Sequence, residues 1–491
     1  MKNRLLLIVL TGLLSVNAQA QWMLDSANTA GTYPYAAVNG NKAVFSNGGE
    51  WNVFDAVTGV HTYGNFAISR AMIEVVSAGD KVMFAGGKYG YFADPQYTKS
   101  VNVYNATTNT WSTWNMGTAR EVGGAAAIGG KAVFAGGTGR SDIAGPVYMY
   151  NKVDIFDVAT GARTSGKLSK GRSNIAAGAA GNKIVFAGGW YWDMMYSVLP
   201  ANTVDIYDVV TGVWTKTTLS KKRENISVAV IGDKILFAGG TGSMGAVTNV
   251  DMYNSTTNTW SVSYMPAAGD GMKSAVIGSD AYFGDGITGP GNMLYKYNSV
   301  AGTWSSITIP TSLTGFSMSV INGRLIIAGG TIPGTSTYSD LVQIYDPVAN
   351  SWYNEHLSIA RTNVSALTIG SKGYFAGGIS VYGYPTPTYT KRVDIFNAPF
   401  RMEQSIASEI SNWDVQVYPN PVVNTVHIAI QNAFDQALTA SITDINGNLI
   451  QQFQLDATVQ NIDVSELPSG IYFIIVQDNS ARSIVKKLVK Q

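Results

Sequence analysis

Five arginines, Arg70, Arg120, Arg172, Arg223 and Arg361, stand at corresponding places in a repeating text, each just before a short run of small and β-branched residues. Guanidinium groups recurring at one place of a repeat can form a ring, and a ring of planar cationic forks suits acidic groups, sugars or a protein surface. A second set follows a second mark, a Gly-Gly pair: Tyr89 and Tyr91, Trp190 and Trp192, and Tyr382 and Tyr384. Aromatic faces attract cations and are enriched at binding surfaces. Together these arginines and aromatics form the candidate ligand-binding set. Catalysis would instead need acids, and Glu121, Glu224, Asp94, Asp193 and Asp270 fall in the same segments. Two carboxylates at a suitable separation hydrolyse glycosidic bonds, so an enzyme acting on carbohydrate is the alternative to a binding module.

Other chemistries are excluded by composition. With no cysteine there is no disulfide, thiolate metal site or cysteine nucleophile. The histidines are His61, His356 and His427, scattered without ligand spacing, which argues against a histidine metal centre or a Ser-His-Asp triad. No metal, cofactor or catalytic residue is therefore assigned. The net charge of +1, with 13% charged residues, calls for neither nucleic acid nor an anionic membrane surface. Lys2 and Arg4 precede the apolar run Leu5 to Leu10, and Ala18-Gln19-Ala20 offers a small-residue cleavage site, so residues 1–20 read as a secretory signal peptide. No later run is long enough for a transmembrane segment.

The elements that position the candidate residues follow from the repeat. Gly-Gly pairs occur at Gly48, Gly86, Gly136, Gly188, Gly239, Gly329 and Gly377, with a degenerate copy at Phe283-Gly284-Asp285-Gly286. A period of roughly 45 to 50 residues means stacked units. Residues 225–264 display one unit: Asn225 to Ile231, a Gly232-Asp233 turn, Lys234 to Ala238, the glycine pair, Asn249 to Tyr253, a polar turn, then Thr259 to Ser263. Four short β-rich runs joined in sequence predict an up-and-down antiparallel sheet of strands a to d. Strand c ends in an aromatic residue, and strand d carries Trp111, Trp214, Trp260, Trp304 or Trp352, whose recurrence marks packing between units. Eight a/b/c sets are followed by only seven d strands, and Trp22 stands where a d strand would precede the first set. Pairing that segment with the last strand c, near Val393, would close a ring and remove exposed sheet edges. Alternating connections then place the long b–c loops and the d–a links on one face, with the candidate residues.

The Gly-Gly doublet, the aromatic-ended strand and the later Trp, recurring in order over residues 21–398, resemble the kelch motif. That resemblance implies an all-β chain built on a kelch-type β-propeller, one four-stranded blade per unit: eight blades, or seven if one irregular unit is not a blade. Kelch units commonly carry an arginine near this place, so Arg70 and its counterparts have a second reading as ties between blades. Galactose oxidase shares kelch-type blades but needs a cysteine cross-linked to tyrosine and histidine copper ligands, which this chain lacks. Ala301-Gly-Thr-Trp304 is only a partial echo of the sialidase Asp-box. Propellers host unrelated functions, so the ligand does not follow from the fold.

Beyond residue 398 the grammar changes. Residues 399–412 read as a linker, and 413–491 as a small Ig-like β-sandwich of alternating strands broken by Asn-Gly and Pro-Ser-Gly turns. Tyr418-Pro-Asn-Pro421, Asp444-Ile-Asn-Gly447, Leu467-Pro-Ser-Gly-Ile-Tyr472 and the end Lys486-Lys487-Leu-Val-Lys490 resemble, in that order, the C-terminal sorting domain of type IX secretion substrates of Bacteroidetes. The resemblance implies passage across the outer membrane by way of the periplasm, with the type IX machinery as partner, and release or surface attachment of the cargo.

Overall fold

A computed structural model describes residues 21–397 and 414–491, apart from 28–33, 92–93, 141–144, 194, 196, 285–290, 382–387, 432–437, 445–448, 456–458 and 479–482. The expected signal peptide and linker, and Tyr382 and Tyr384, lie outside the described residues. The chain divides into two compact units, Met1–Pro399 and Phe400–Gln491.

Every described element is a β-strand. In the first unit each repeat forms its own antiparallel sheet in the order a-b-c-d, as in Gly124–Ile128, Lys131–Ala135, Lys152–Asp157 and Arg163–Lys167. Eight sheets of this kind are present among the described residues. Their a strands follow one another around the ring, from Tyr35–Asn39 through Glu74–Ala78 and onward to Ser365–Ile369, which returns against Tyr35–Asn39. Strand a is thus innermost and strand d outermost. The last sheet takes its outer strand from the start of the chain: Gln21–Ser26 pairs antiparallel with Arg392–Asn397, Trp22 opposite Phe396 and Asp25 opposite Val393.

The core lies between neighbouring sheets. The Phe of each Phe-Ala-Gly-Gly string is fully buried, and strand-d tryptophans lie against the aromatic ends of strand c: Tyr207 and Trp214 at 4.9 Å between ring centroids, Tyr253 and Trp260 at 5.1 Å. One cluster joins Val133 and Val153 of the third sheet to Ile184, Phe186 and Trp214 of the fourth. The recurrent tryptophans therefore serve packing, as their one-per-unit placement requires.

In the second unit, Asp414–Tyr418, Thr425–Gln431 and Val459–Asp463 form one sheet, and Leu438–Thr443, Leu449–Leu455, Gly470–Asp478 and Ser483–Lys490 the other. Val415, Ile428 and Ile462 of the first meet Ile442, Ile474 and Leu488 of the second in one apolar core. The Tyr-Pro-Asn-Pro string has a structural task here. Asn420 donates its amide to Lys487 O at 2.6 Å and accepts from Val489 N–H at 2.8 Å, while Val422 N–H donates to Val489 O. A side-chain amide thereby supplies the bonds that a neighbouring strand would give to the final strand.

Candidate functional site

The five arginines are not offered to a ligand. Arg120, Arg172, Arg223 and Arg361 have no exposed surface and Arg70 retains 4%. Each guanidinium reaches into its own sheet and donates to the carbonyl of the strand-b Phe: Phe84, Phe134, Phe186, Phe237 or Phe375. Four of them also meet a strand-c carboxylate: Arg120 with Asp154 at 2.7 Å, Arg172 with Asp205 at 2.7 Å, Arg223 with Asp251 at 2.6 Å and Arg361 with Asp394 at 2.5 Å. Arg70 meets the neutral Asn102 at 2.6 Å, and burial pulls its pKa down to about 10. Arg120, Arg172, Arg223 and Arg361 also accept through their own carbonyls from the preceding sheet, as in Gly87 N–H to Arg120 O at 2.9 Å and Gly137 N–H to Arg172 O at 2.8 Å. They tie blade to blade. A Cβ at the adjacent Gly136, where φ is +64°, would stand 2.4 Å from Arg172 O, so only glycine allows the two backbones to approach this closely. In the seventh sheet Leu313 replaces the arginine and Gln343 the aspartate, and Gln343 exchanges two hydrogen bonds with Thr311 of the link instead. The signal for these partners was the polar residue inside each Val-Asp-Ile-Tyr-like string, buried where a strand should be apolar.

Beyond each arginine the link reaches the inner end of strand a, at the mouth of the central channel. Three of the candidate acids lie on these links, Glu224 and Asp270 on one hydrogen-bonded arc and Glu121 apart from it. Glu121 accepts from Thr138 Oγ1 at 2.5 Å and lies 3.5 Å from Lys88 Nζ. Glu224 accepts from Asn174 Nδ2 at 3.4 Å, and the same amide donates to Asn225 Oδ1 at 2.7 Å. Asn225 Nδ2 in turn donates to Thr241 Oγ1 at 3.2 Å, whose hydroxyl donates to Asp270 at 2.7 Å. A hydrogen-bonded arc thus crosses the fourth, fifth and sixth sheets. Asn174 and Asn225 hold positive φ of 51° and 52°, a left-handed turn that asparagine tolerates. The other two acids stay away from this arc: Asp94 is exposed and paired with Arg140, and Asp193 accepts from Met195 and Ser197 N–H within its own loop.

A further acid was missed in the sequence. Glu74 opens strand a of the second sheet, where other sheets place Gly124, Ala176 or Ser227. Burial raises its pKa to about 7, and no ion pair offsets that burial among the described residues. Its charge also helps raise the pKa of Tyr35, after burial of that phenol itself; Tyr35 Oη accepts from Met72 N–H at 2.6 Å. A charged residue at a place given elsewhere to small ones was the available signal.

Around this mouth, several b–c loops fold into two-stranded hairpins. Lys88–Tyr91 pairs with Asp94–Tyr97, Thr138–Arg140 with Val147–Met149, and Trp190–Trp192 with Val198–Pro200. Tyr89 is exposed; Tyr91 ends its strand. Trp190 and Trp192 are half-buried, their ring centroids 5.7 Å apart, and Trp190 is bridged through its backbone to Ser173, the residue before Asn174. Tyr148 and Tyr150 add another adjacent pair at 6.3 Å. The arrangement is an aromatic wall over the second to fourth sheets beside a floor of amides and carboxylates.

The family described as Kelch motif matches residues 222–262 and 312–355, and the one described as secretion system C-terminal sorting domain matches residues 416–491. Among solved structures, the one titled "Structure of YjhT" is similar over 56% of this chain and 96% of its own, at 14% identity and a TM-score of 0.37. No curated protein matches the chain.

Proposed function

We infer that this secreted kelch-repeat protein, which ends in a type IX sorting domain, is a recognition module whose loop face binds a glycan. The observation that supports this reading is the pairing of Trp190, which stands 5.7 Å from Trp192 ring to ring, with Ser173, the residue before Asn174 and the arc leading to Glu224 and Asn225. A sugar offers an apolar ring face and vicinal hydroxyls. Aromatic faces serve the first, and fixed carboxylates and amides serve the second. A protein ligand would use the same wall and is the other occupant to be tested.

Replacing both Trp190 and Trp192 by Ala should weaken binding by about 2 kcal/mol, roughly thirtyfold, on a glycan array followed by calorimetry. The melting temperature should stay near that of the parent. A loss of stability matching the loss of binding would assign the pair to packing instead.

The sorting domain carries the cargo out for release or surface attachment through the type IX machinery. We place the route through the periplasm, with residues 413–491 as the address. Removing them should leave the propeller in the periplasmic fraction, read by immunoblot of cell fractions. Undiminished export of the truncated chain would overturn that assignment.

A further inference from the structure

On the links between sheets lysine is unevenly placed, and the acids beside it are held locally, Asp193 by Met195 and Ser197 N–H and Glu224 by Asn174. Among the described d–a links, lysine occurs in two, at Lys170 in residues 168–175 and at Lys221 and Lys222 in residues 219–226. These two links belong to the fourth and fifth sheets, whose b–c hairpins also expose large apolar side chains. Met195 is 82% exposed and Met244 93%, each at a hairpin tip, and Leu199 is 37% exposed.

The charged and apolar groups are joined. Lys170 Nζ lies over the ring of Tyr191, and Leu199 stands directly across the hairpin from Tyr191. The second hairpin, Thr241–Gly242 with Gly245–Ala246, leans on the second link: a Cβ at Gly242 would stand 3.4 Å from Lys222 O. Lys221 and Lys222 are exposed and form no ion pair among the described residues. Asn174 and Asn225 hold the two sheets together at the channel mouth.

We propose that this arc of the loop face is a membrane-interface patch that seats on a bilayer carrying anionic headgroups. Exposed apolar tips with lysines set behind them match the layering of such a surface: the methionines and leucine enter the acyl boundary, and the ammonium groups stay at headgroup level. Each lysine near an anionic bilayer adds about 1 kcal/mol, about fivefold in affinity. The patch does not depend on the glycan reading, because it uses neither Trp190 and Trp192 nor the floor acids.

The test is co-sedimentation of the full secreted chain with phosphatidylcholine vesicles, with and without about a third phosphatidylglycerol, at low and high salt. Binding should require the anionic lipid and weaken with salt. Lys221→Gln/Lys222→Gln should weaken it about 25-fold, and Met195→Ser/Met244→Ser should weaken it at every salt concentration. All four positions are exposed, so both variants should keep the parent melting temperature. Absence of vesicle binding overturns the proposal. So does binding that both variants retain, or binding lost with the lysines but untouched by the methionine changes, which would mark a soluble polyanion as the partner.

Discussion

Asp154→Ala should lower the unfolding free energy by about 3–5 kcal/mol. Its carboxylate accepts from Arg120 Nη1 at 2.7 Å, Arg163 Nη1 at 2.8 Å and Gly117 N–H at 2.8 Å, and it is 2% exposed. Truncation leaves the fully buried Arg120 cation facing an apolar methyl. The cost is mainly that of an uncompensated charge, so removing both partners should cost far less. Arg120→Met/Asp154→Leu should recover most of the lost stability, whereas a simple sum of two lost contacts would make it worse than either single change. Chemical unfolding of the three variants separates these outcomes. A loss below about 1 kcal/mol for Asp154→Ala would mean that water reaches the arginine.

Glu74→Gln should stabilise the protein above neutral pH and do almost nothing in acid. The carboxyl titrates at about 7 in the fold, raised by burial from an ordinary 4.5. Between those values the unfolded chain has released the proton and the folded chain still holds it, so folding stability falls as pH rises from 4.5 to about 7 and then levels. The penalty present at pH 8 is up to about 3 kcal/mol, and glutamine removes it. Melting curves of parent and variant should therefore converge near pH 4.5 and separate above pH 7. Parallel curves across that range would show that Glu74 ionises as an ordinary surface acid. If the ligand contacts this mouth, its affinity should bend over the same interval.

Much of the architecture was legible because repetition exposes what a fold needs. Phe-Ala-Gly-Gly recurs since strand b carries a buried Phe near its end in most sheets, Ile327 standing there in the seventh, and then passes its backbone against a neighbouring link. Trp22 could be placed because a set without its outer strand has to borrow one. The same logic decides between the two readings of the arginines in favour of ties between blades. A residue that recurs at one place in most units is a residue the unit uses, and Arg120, Arg172, Arg223 and Arg361 are used up by strand-c aspartates. The aromatic hairpins were legible as loops but not as hairpins, because strands as short as Trp190–Trp192 carry no alternation. Nor could spacing separate Glu121, Glu224 and Asp270 at the channel mouth from Asp94 and Asp193 on the hairpins. Both groups sit in segments of like composition, and only the turn of each link decides which carboxylate faces inward.

The strand that closes the ring has a mechanical side. The sorting domain is attached beyond Asn397, the last residue of Arg392–Asn397. That strand is flanked on one side by Lys372–Ala376 and on the other by Gln21–Ser26. Any pull on the tail therefore meets a strand paired along both edges. Without residues 21–26 the same strand would be an edge, free to unzip one bond at a time toward the channel. Residues 21–26 thus anchor the strand from which the tail departs, joining one end of the propeller's chain to the other.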